Sequence, residues 1–344
     1  MVKRTNIGVI LHMSMSPEFN KLRKDIQRQI KPNECILCGK TITSCCNSHS
    51  VPKMVLKNIA DNGKVLQMAA CLKLEFDIFD IEKGVNNSGT FFFICNECDN
   101  IYFKQYENET ALLTAPNDTM MAQIALKSAL QQLSKRKYES QLFKQAIPNK
   151  AYVELTSMVQ ELDMSEYVKD ISLYKDIINH PKRKKQFQLV CQYLLPYKVP
   201  IATQAMVAII EDRHGKKLND VYDYSPDNRM KYLHICVFPL KQNTAVFAFY
   251  HKRDPILRSL NKEFNTVSRA ENLSYLNWLI FKYSENIFLS KTIRDQIESD
   301  IRLSDLCKEV GDKFPNLGWA SKQQLLEYRP VEQDEITNFL VQKC

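Results

Sequence analysis

The sequence predicts an α+β protein: a metal-stapled module near the N-terminus, then a helical region, then a helix-flanked, mostly antiparallel sheet. Three observations carry that expectation. Two C-x-x-C pairs, Cys35/Cys38 and Cys95/Cys98, bracket a region with few long helical patterns. Apolar residues spaced about 3.6 apart fill the middle of the chain. Beyond Val199 the period shortens, and apolar runs between polar turns read as strands. The expected division is residues 1–32 as an N-terminal segment and helix, 33–110 as the zinc module, 111–195 as the helical region and 196–344 as an α+β C-terminal domain.

The elements follow in order. MVKRTNIGVILHMSMSP has a basic start and a short apolar piece broken by His12, with no small-residue cleavage site, and reads as a strand or tail. Ser16-Pro17-Glu18 then supplies an N-cap and a proline at the first helical position, with a stop at Lys31-Pro32. Within the cysteine-rich section a helix is expected over 52–60, a turn at Asp61-Asn62-Gly63, and strands over 64–70 and 72–79. Gly84 and the turn Asn86-Asn87-Ser88-Gly89 lead to a short strand, TFFFI. A long amphipathic helix spans 117–146, capped by Asn117 or Asp118 and stopped by Pro148. A second helical stretch covers about 150–195. MVAIIED, YLHICVF and TAVFAFY are read as strands, the last two as a hairpin. Helices at 255–264 and 266–283, a short edge strand in ENIFLS and a closing helix over 291–310 complete the chain.

Composition bounds the function. The 344 residues are 44% hydrophobic and 25% charged, an ordinary globular balance with room for more than one core. No run of eighteen apolar residues exists, so no membrane span is expected. Eleven cysteines in a chain of this size without an export signal point to reduced thiols, metal ligation and the cytoplasm. The net charge of +8 suits a polyanionic partner without requiring one.

A tight turn between paired cysteines lets both thiolates reach one Zn²⁺, and two such knuckles complete a tetrahedral site. Cys35, Cys38, Cys95 and Cys98 are therefore the expected structural zinc ligands, with Cys45, Cys46 and Cys71 ranked below them. Closing the 56-residue gap between Cys38 and Cys95 costs little, because loop entropy grows only logarithmically. The second knuckle runs on as Cys98-Asp99-Asn100-Ile101-Tyr102-Phe103, a helix beginning on the knuckle.

A knuckle, a hairpin and a second knuckle opening a helix is the plan of a treble clef. The order of parts resembles the zinc-containing HNH endonucleases. Their pattern is Cys-x-x-Cys, an acidic residue and His, then Pro, an Asn, and Cys-x-x-Cys followed by His or Asn. Here it falls on Cys35/Cys38, Ser48-His49, Pro52, Asn58 or Asn62, and Cys95/Cys98 with Asp99. The resemblance implies that His49 is the general base, that Asn58 or Asn62 orients it, and that Asp99 holds Mg²⁺ or Mn²⁺ on a scissile phosphate. Three departures stand out: Ser48 replaces the acidic residue, Asp99 replaces His or Asn, and the knuckles are far apart. Other readings make His49 a zinc ligand or a histidine hydrogen-bonded to backbone.

SHSVPKMVLKNIADNGKV, SGTFFFICNECDNIYFKQYENE, AQIALKSALQQLSKRK and SENIFLS are also similar to landmarks of a family of uncharacterised bacterial zinc-knuckle proteins. Where that family carries His-Asp, this chain has Cys98-Asp99, one zinc ligand exchanged for another. That resemblance implies a zinc module, and the nuclease resemblance suggests a place in bacterial defence.

Two basic clusters, Lys135-Arg136-Lys137 and Lys182-Arg183-Lys184-Lys185, are candidate contacts to DNA or RNA, with Tyr138 and Phe187 near enough to stack on bases. The plainer reading is a solvated helix face. His214, His234 and His251 lack a second ligand at matching spacing and read as core or surface histidines. The two expected functions are a metal-dependent nuclease on DNA or RNA, and a non-catalytic zinc-stabilised protein that binds nucleic acid, protein or a small ligand.

Overall fold

A computed structural model describes residues 17–42, 46–68, 79–147, 149–181, 184–225, 227–311 and 330–342. The N-terminal strand or tail, Ser16, Cys45, Cys71, most of the expected strand over 72–79 and the pair Lys182-Arg183 lie outside them. The chain is mixed α and β, with antiparallel strand pairing throughout the described sheets.

Helix α1 (Pro17–Gln29) packs Phe19 and Ile26 against the end of a later helix. A two-residue strand β1 (Ser48–His49) leads to α2 (Lys53–Ile59), β2 (Lys64–Met68) and β3 (Phe79–Gly84). Strand β4 (Thr90–Phe91) pairs back on β1, and the short helices α3 (Asn96–Phe103) and α4 (Glu109–Leu112) follow. The long helices α5 (Asp118–Ala146) and α6 (Lys150–Asn179) come next. Asn117 caps α5 by accepting from the Met120 N–H at 2.8 Å.

Among the described residues the main sheet has seven strands in the order β3-β2-β9-β6-β7-β8-β5. Its members are β5 (Phe187–Leu195), β6 (Ile201–Val207), β7 (Leu233–Pro239), β8 (Thr244–His251) and β9 (Ile287–Leu289), together with the hairpin β2–β3. Helices α7 (Arg258–Thr266), α8 (Arg269–Tyr283), α9 (Arg294–Glu298) and α10 (Ile301–Gly311) are the remaining described helices. A full capping box at Ser268 and Glu271 starts α8.

Strand alternation divides the interior in two. Leu233, Ile235 and Val237 face the layer of α7–α10, whereas Cys236 and Phe238 face α5, α6 and the cysteine module. Every residue of β6, β7 and β8 is buried, which is why those runs read as continuously apolar.

Three expectations are corrected. Residues 187–195 form β5, not the end of a helix; Pro181 ends the helical pattern, and Phe187, Val190, Cys191 and Tyr193 suit a half-exposed outer strand. Asp118, at the start of α5, fixes that strand by accepting from the Gln186 and Phe187 N–H groups. The strand sought in MVAIIED begins earlier, at Ile201. Its polar Thr203 and Gln204 are buried because they bond to Asn286 O and Ile124 O. The strand within ENIFLS is not at an edge: β9 lies between β2 and β6.

The segment between the cysteine pairs thus reaches the main sheet. β2 pairs with β9, and Ser50 Oγ donates to Asn286 Oδ1 at 2.7 Å across the same junction. Gly89 makes the close approach: its φ is +61°, and a Cβ there would collide with the Phe288 ring and lie 2.7 Å from Ser50 Oγ.

Candidate metal centre and the polar cluster beside it

The first knuckle is a tight turn. Cys35 N–H donates to Lys40 O, Gly39 N–H donates to Cys35 O, and Gly39 takes a φ of +68° that disfavours any other residue. Ile36 N–H reaches Phe93 O at 3.1 Å and so binds this turn to the segment entering the second knuckle. Cys95 occupies the N-cap of α3, its sulfur accepting from the Cys98 N–H. From α6, Lys175 Nζ donates to Leu37 O at 2.5 Å, fastening the long helix to the first knuckle.

These contacts bring the four sulfurs of Cys35, Cys38, Cys95 and Cys98 within 4.8 Å of one another. Sulfurs about 3.8 Å apart are what a tetrahedral ion with Zn–S bonds of about 2.3 Å requires, and Cys38 Sγ and Cys95 Sγ are 3.9 Å apart. The soft, all-sulfur donor set suits zinc. The Cys95 N–H also points at Cys35 Sγ, at 3.4 Å. Burial raises the Cys35 thiol, but N–H groups from Cys95, Cys38 and Leu37 outweigh it and bring it to about 7. Burial pushes the Cys95 and Cys98 thiols up beside it, and a bound dication would favour their thiolates instead. Among the described residues no other group of three or more His, Cys, Asp or Glu side chains converges in this way.

A second cluster lies one residue beyond the last cysteine. Ser48 Oγ donates to Asp99 Oδ1 at 2.5 Å, so β1 and α3 meet through these side chains. The ammonium of Lys127, on α5 and 1% exposed, lies 3.6 Å from the same oxygen and forms a closer ion pair with Glu107. Its other side rests on Phe103, 4.2 Å from the ring centroid. Cys46 borders the cluster; burial and the charge of Asp99 push its thiol up to about 12, and it is not among the four converging sulfurs.

His49 is half-buried. Its Nε2 bonds to Val85 O at 2.9 Å, the backbone-bonded arrangement among its alternatives. Burial holds its pKa below the ordinary value, with the charges of Lys127 and Lys53 acting in the same direction, so the ring is neutral at pH 7. Asn58 and Asn62 do not orient it. Asn58 Nδ2 donates to Pro239 O, and Asn62 sits at φ +50° in the turn before β2.

The basic residues at 135–137 are taken up inside the fold. Lys135 pairs with Glu285 and Glu139, and Arg136 bridges Glu139 and Asp163 at 2.8 and 2.7 Å. Lys137 lies over the Phe93 ring at 4.8 Å, and burial lowers its pKa. Tyr138 OH accepts from Arg23, and Phe187 is fully buried, so neither is a free stacking platform. Lys184 and Lys185 are exposed.

The sequence reading missed Lys127, Glu107 and the Ser48–Asp99 contact. One signal was available: Lys127 is the lone charge in an otherwise uniformly buried run from Met120 to Leu130.

No protein-family model, curated protein or solved structure matches the chain. No described helix is long and apolar enough to cross a membrane.

Proposed function

We propose that the chain is a zinc-stabilised, non-catalytic binding protein whose cysteine module has a treble-clef, HNH-like plan. The order knuckle, antiparallel β1–β4 pair with α2 and the β2–β3 hairpin inserted between its strands, and knuckle-capped helix supports the plan. The ammonium of Lys127 carries the functional reading.

In an HNH-like site the residue before the histidine and the residue after the last cysteine would share a divalent cation. Here the corresponding pair, Ser48 and Asp99, is joined by a hydrogen bond, and Lys127 supplies the positive charge beside Asp99. A dication bound to that oxygen would stand about 4 Å from the ammonium, a repulsion of roughly 8 kcal/mol at an effective dielectric of 20. Serine contributes no anionic oxygen to offset it, and Mg²⁺ demands a nearly complete octahedron of hard ligands. Lys127 already answers the charge of Asp99, and a dication there would compete with its ammonium.

The nuclease reading keeps one supporting observation, the neutral imidazole of His49 on the strand that meets Asp99. Incubation of purified protein with plasmid or RNA and Mg²⁺ or Mn²⁺ separates the two. The binding reading expects no cleavage by wild type or by His49→Ala. Metal-dependent cleavage that disappears in His49→Ala while zinc is retained would establish the nuclease instead.

A further inference from the structure

On the sheet face opposite the cysteines, α8, the loop after β6 and residues 332–334 enclose a cleft of about 570 Å³. That is within the range of about 300–1,000 Å³ typical of small-molecule sites. Its floor is aromatic. Tyr275 and Trp278 stack with ring centroids 5.8 Å apart, and Tyr283 meets Trp278 edge-on at 6.3 Å.

Arg213 lies against that floor, its guanidinium carbon 4.1 Å from the Tyr275 ring centroid and 5.3 Å from that of Phe264. Nη2 donates to Asn272 Oδ1 at 3.1 Å, but Nε is buried without a partner. Among the described residues no carboxylate oxygen lies within 4.0 Å of this guanidinium. The neighbouring Asp212 is turned to its own loop, accepting from the His214 and Lys216 N–H groups. The Tyr275 hydroxyl, on a side chain 4% exposed, is likewise buried with no partner.

Burial lowers the Arg213 pKa, and the carboxylates that act on it, Glu263 and Glu271, do so from beyond contact distance. A half-buried guanidinium with no carboxylate in contact, beside an unsatisfied phenol, is a seat for an anion. The mouth is acidic on balance: Glu211, Glu332 and Asp334 are all exposed there, against Lys282, whose Nζ lies 4.3 Å from the Trp278 ring centroid. Three carboxylates disfavour a phosphate dianion and favour an ammonium group.

We propose that this cleft binds a small zwitterion, an α-amino acid or short peptide. Its carboxylate pairs with Arg213, its ammonium faces the acidic mouth, and an apolar side chain packs at the exposed edge of Trp278, beside Lys282. This inference stands apart from the reading of the zinc module.

Trp278 reports the test directly. In a Trp319→Phe background (Trp319 lies outside the described residues), phenylalanine and the dipeptide Ala-Phe are titrated against tryptophan emission. The N-acetylated and C-amidated dipeptides and AMP serve as comparisons. The expected result is a saturable change with the zwitterions, weakened about tenfold or more by either block, as loss of one charged hydrogen-bonding pair implies. Arg213→Met abolishes the response and Arg213→Lys retains part of it, with circular dichroism confirming the fold of each. If Arg213→Met fails to fold, Glu332→Gln with Asp334→Asn, both on the surface, must weaken the zwitterion and not the N-acetylated form. No saturable response to either zwitterion, equal binding of the blocked dipeptides, or tighter binding of AMP would overturn the proposal.

Discussion

Lys127 sets the character of the polar cluster beside the knuckles. Its ammonium is almost fully buried, and the two carboxylates it serves, Asp99 and Glu107, are themselves only 21% and 31% exposed. Replacing it with methionine keeps the straight chain and the packing on Phe103 but strands both anions. The expected cost is about 3 kcal/mol in urea unfolding, the range found when one partner of a buried ion pair is removed. Adding Asp99→Asn and Glu107→Gln should recover part of that loss. A Lys127→Met protein as stable as wild type would show that the cluster is solvated instead.

His234 and His251 matter to stability for a different reason. His234 is fully buried, stacks on Phe249 at 4.8 Å, and has no hydrogen-bond partner on either ring nitrogen. Burial pulls its pKa to about 3, with the charges of His251 and Arg253 acting in the same direction. His251 is brought to about 4 by burial and then by Arg253 and Arg229. Tyr174 packs against both rings, and Asp170 holds Arg253 beside them. The unfolded chain binds these protons near pH 6.5, and the folded chain does not until pH 3–4. Between those limits the unfolded state carries more protons, so stability falls as pH drops from about 6.5 towards 4, by up to about 1.4 kcal/mol per unit for each histidine. His234→Phe should shrink the stability difference between pH 7 and pH 5 by about 2 kcal/mol in paired urea titrations. An unchanged difference would mean that His234 gains a proton in the folded state.

At the scale of elements, much was legible where burial is complete or capping is local. The fully buried strands β7 and β8 stand out as apolar runs, and α5 opens on the Asn117 cap. The second knuckle opening a helix was readable because one residue, Cys95, is both cap and candidate ligand. Strand β5 was not, since a half-exposed outer strand lacks the continuous apolar signal of its neighbours and here follows a long helix. Nor was the central place of β9, a three-residue strand whose position depends on β2, which is distant in sequence. The site divides in the same way. The cysteine spacing revealed the sulfur cluster, but the internal engagement of Lys135 and Arg136 depends on Glu285 and Asp163, which no local pattern connects to them.

The whole molecule is a sheet covered on both sides, and its two faces carry different chemistry. One packs against the long helices and the cysteine module; the other carries the helices that line the aromatic cleft. The inserted hairpin β2–β3 extends the sheet while its flanking segments hold the knuckles, so metal binding and sheet completion are linked. Metal analysis of reduced, untagged protein tests this most directly. One zinc per chain is predicted, falling away when Cys38 or Cys98 is changed to serine. Well-folded wild-type protein without stoichiometric metal would contradict it.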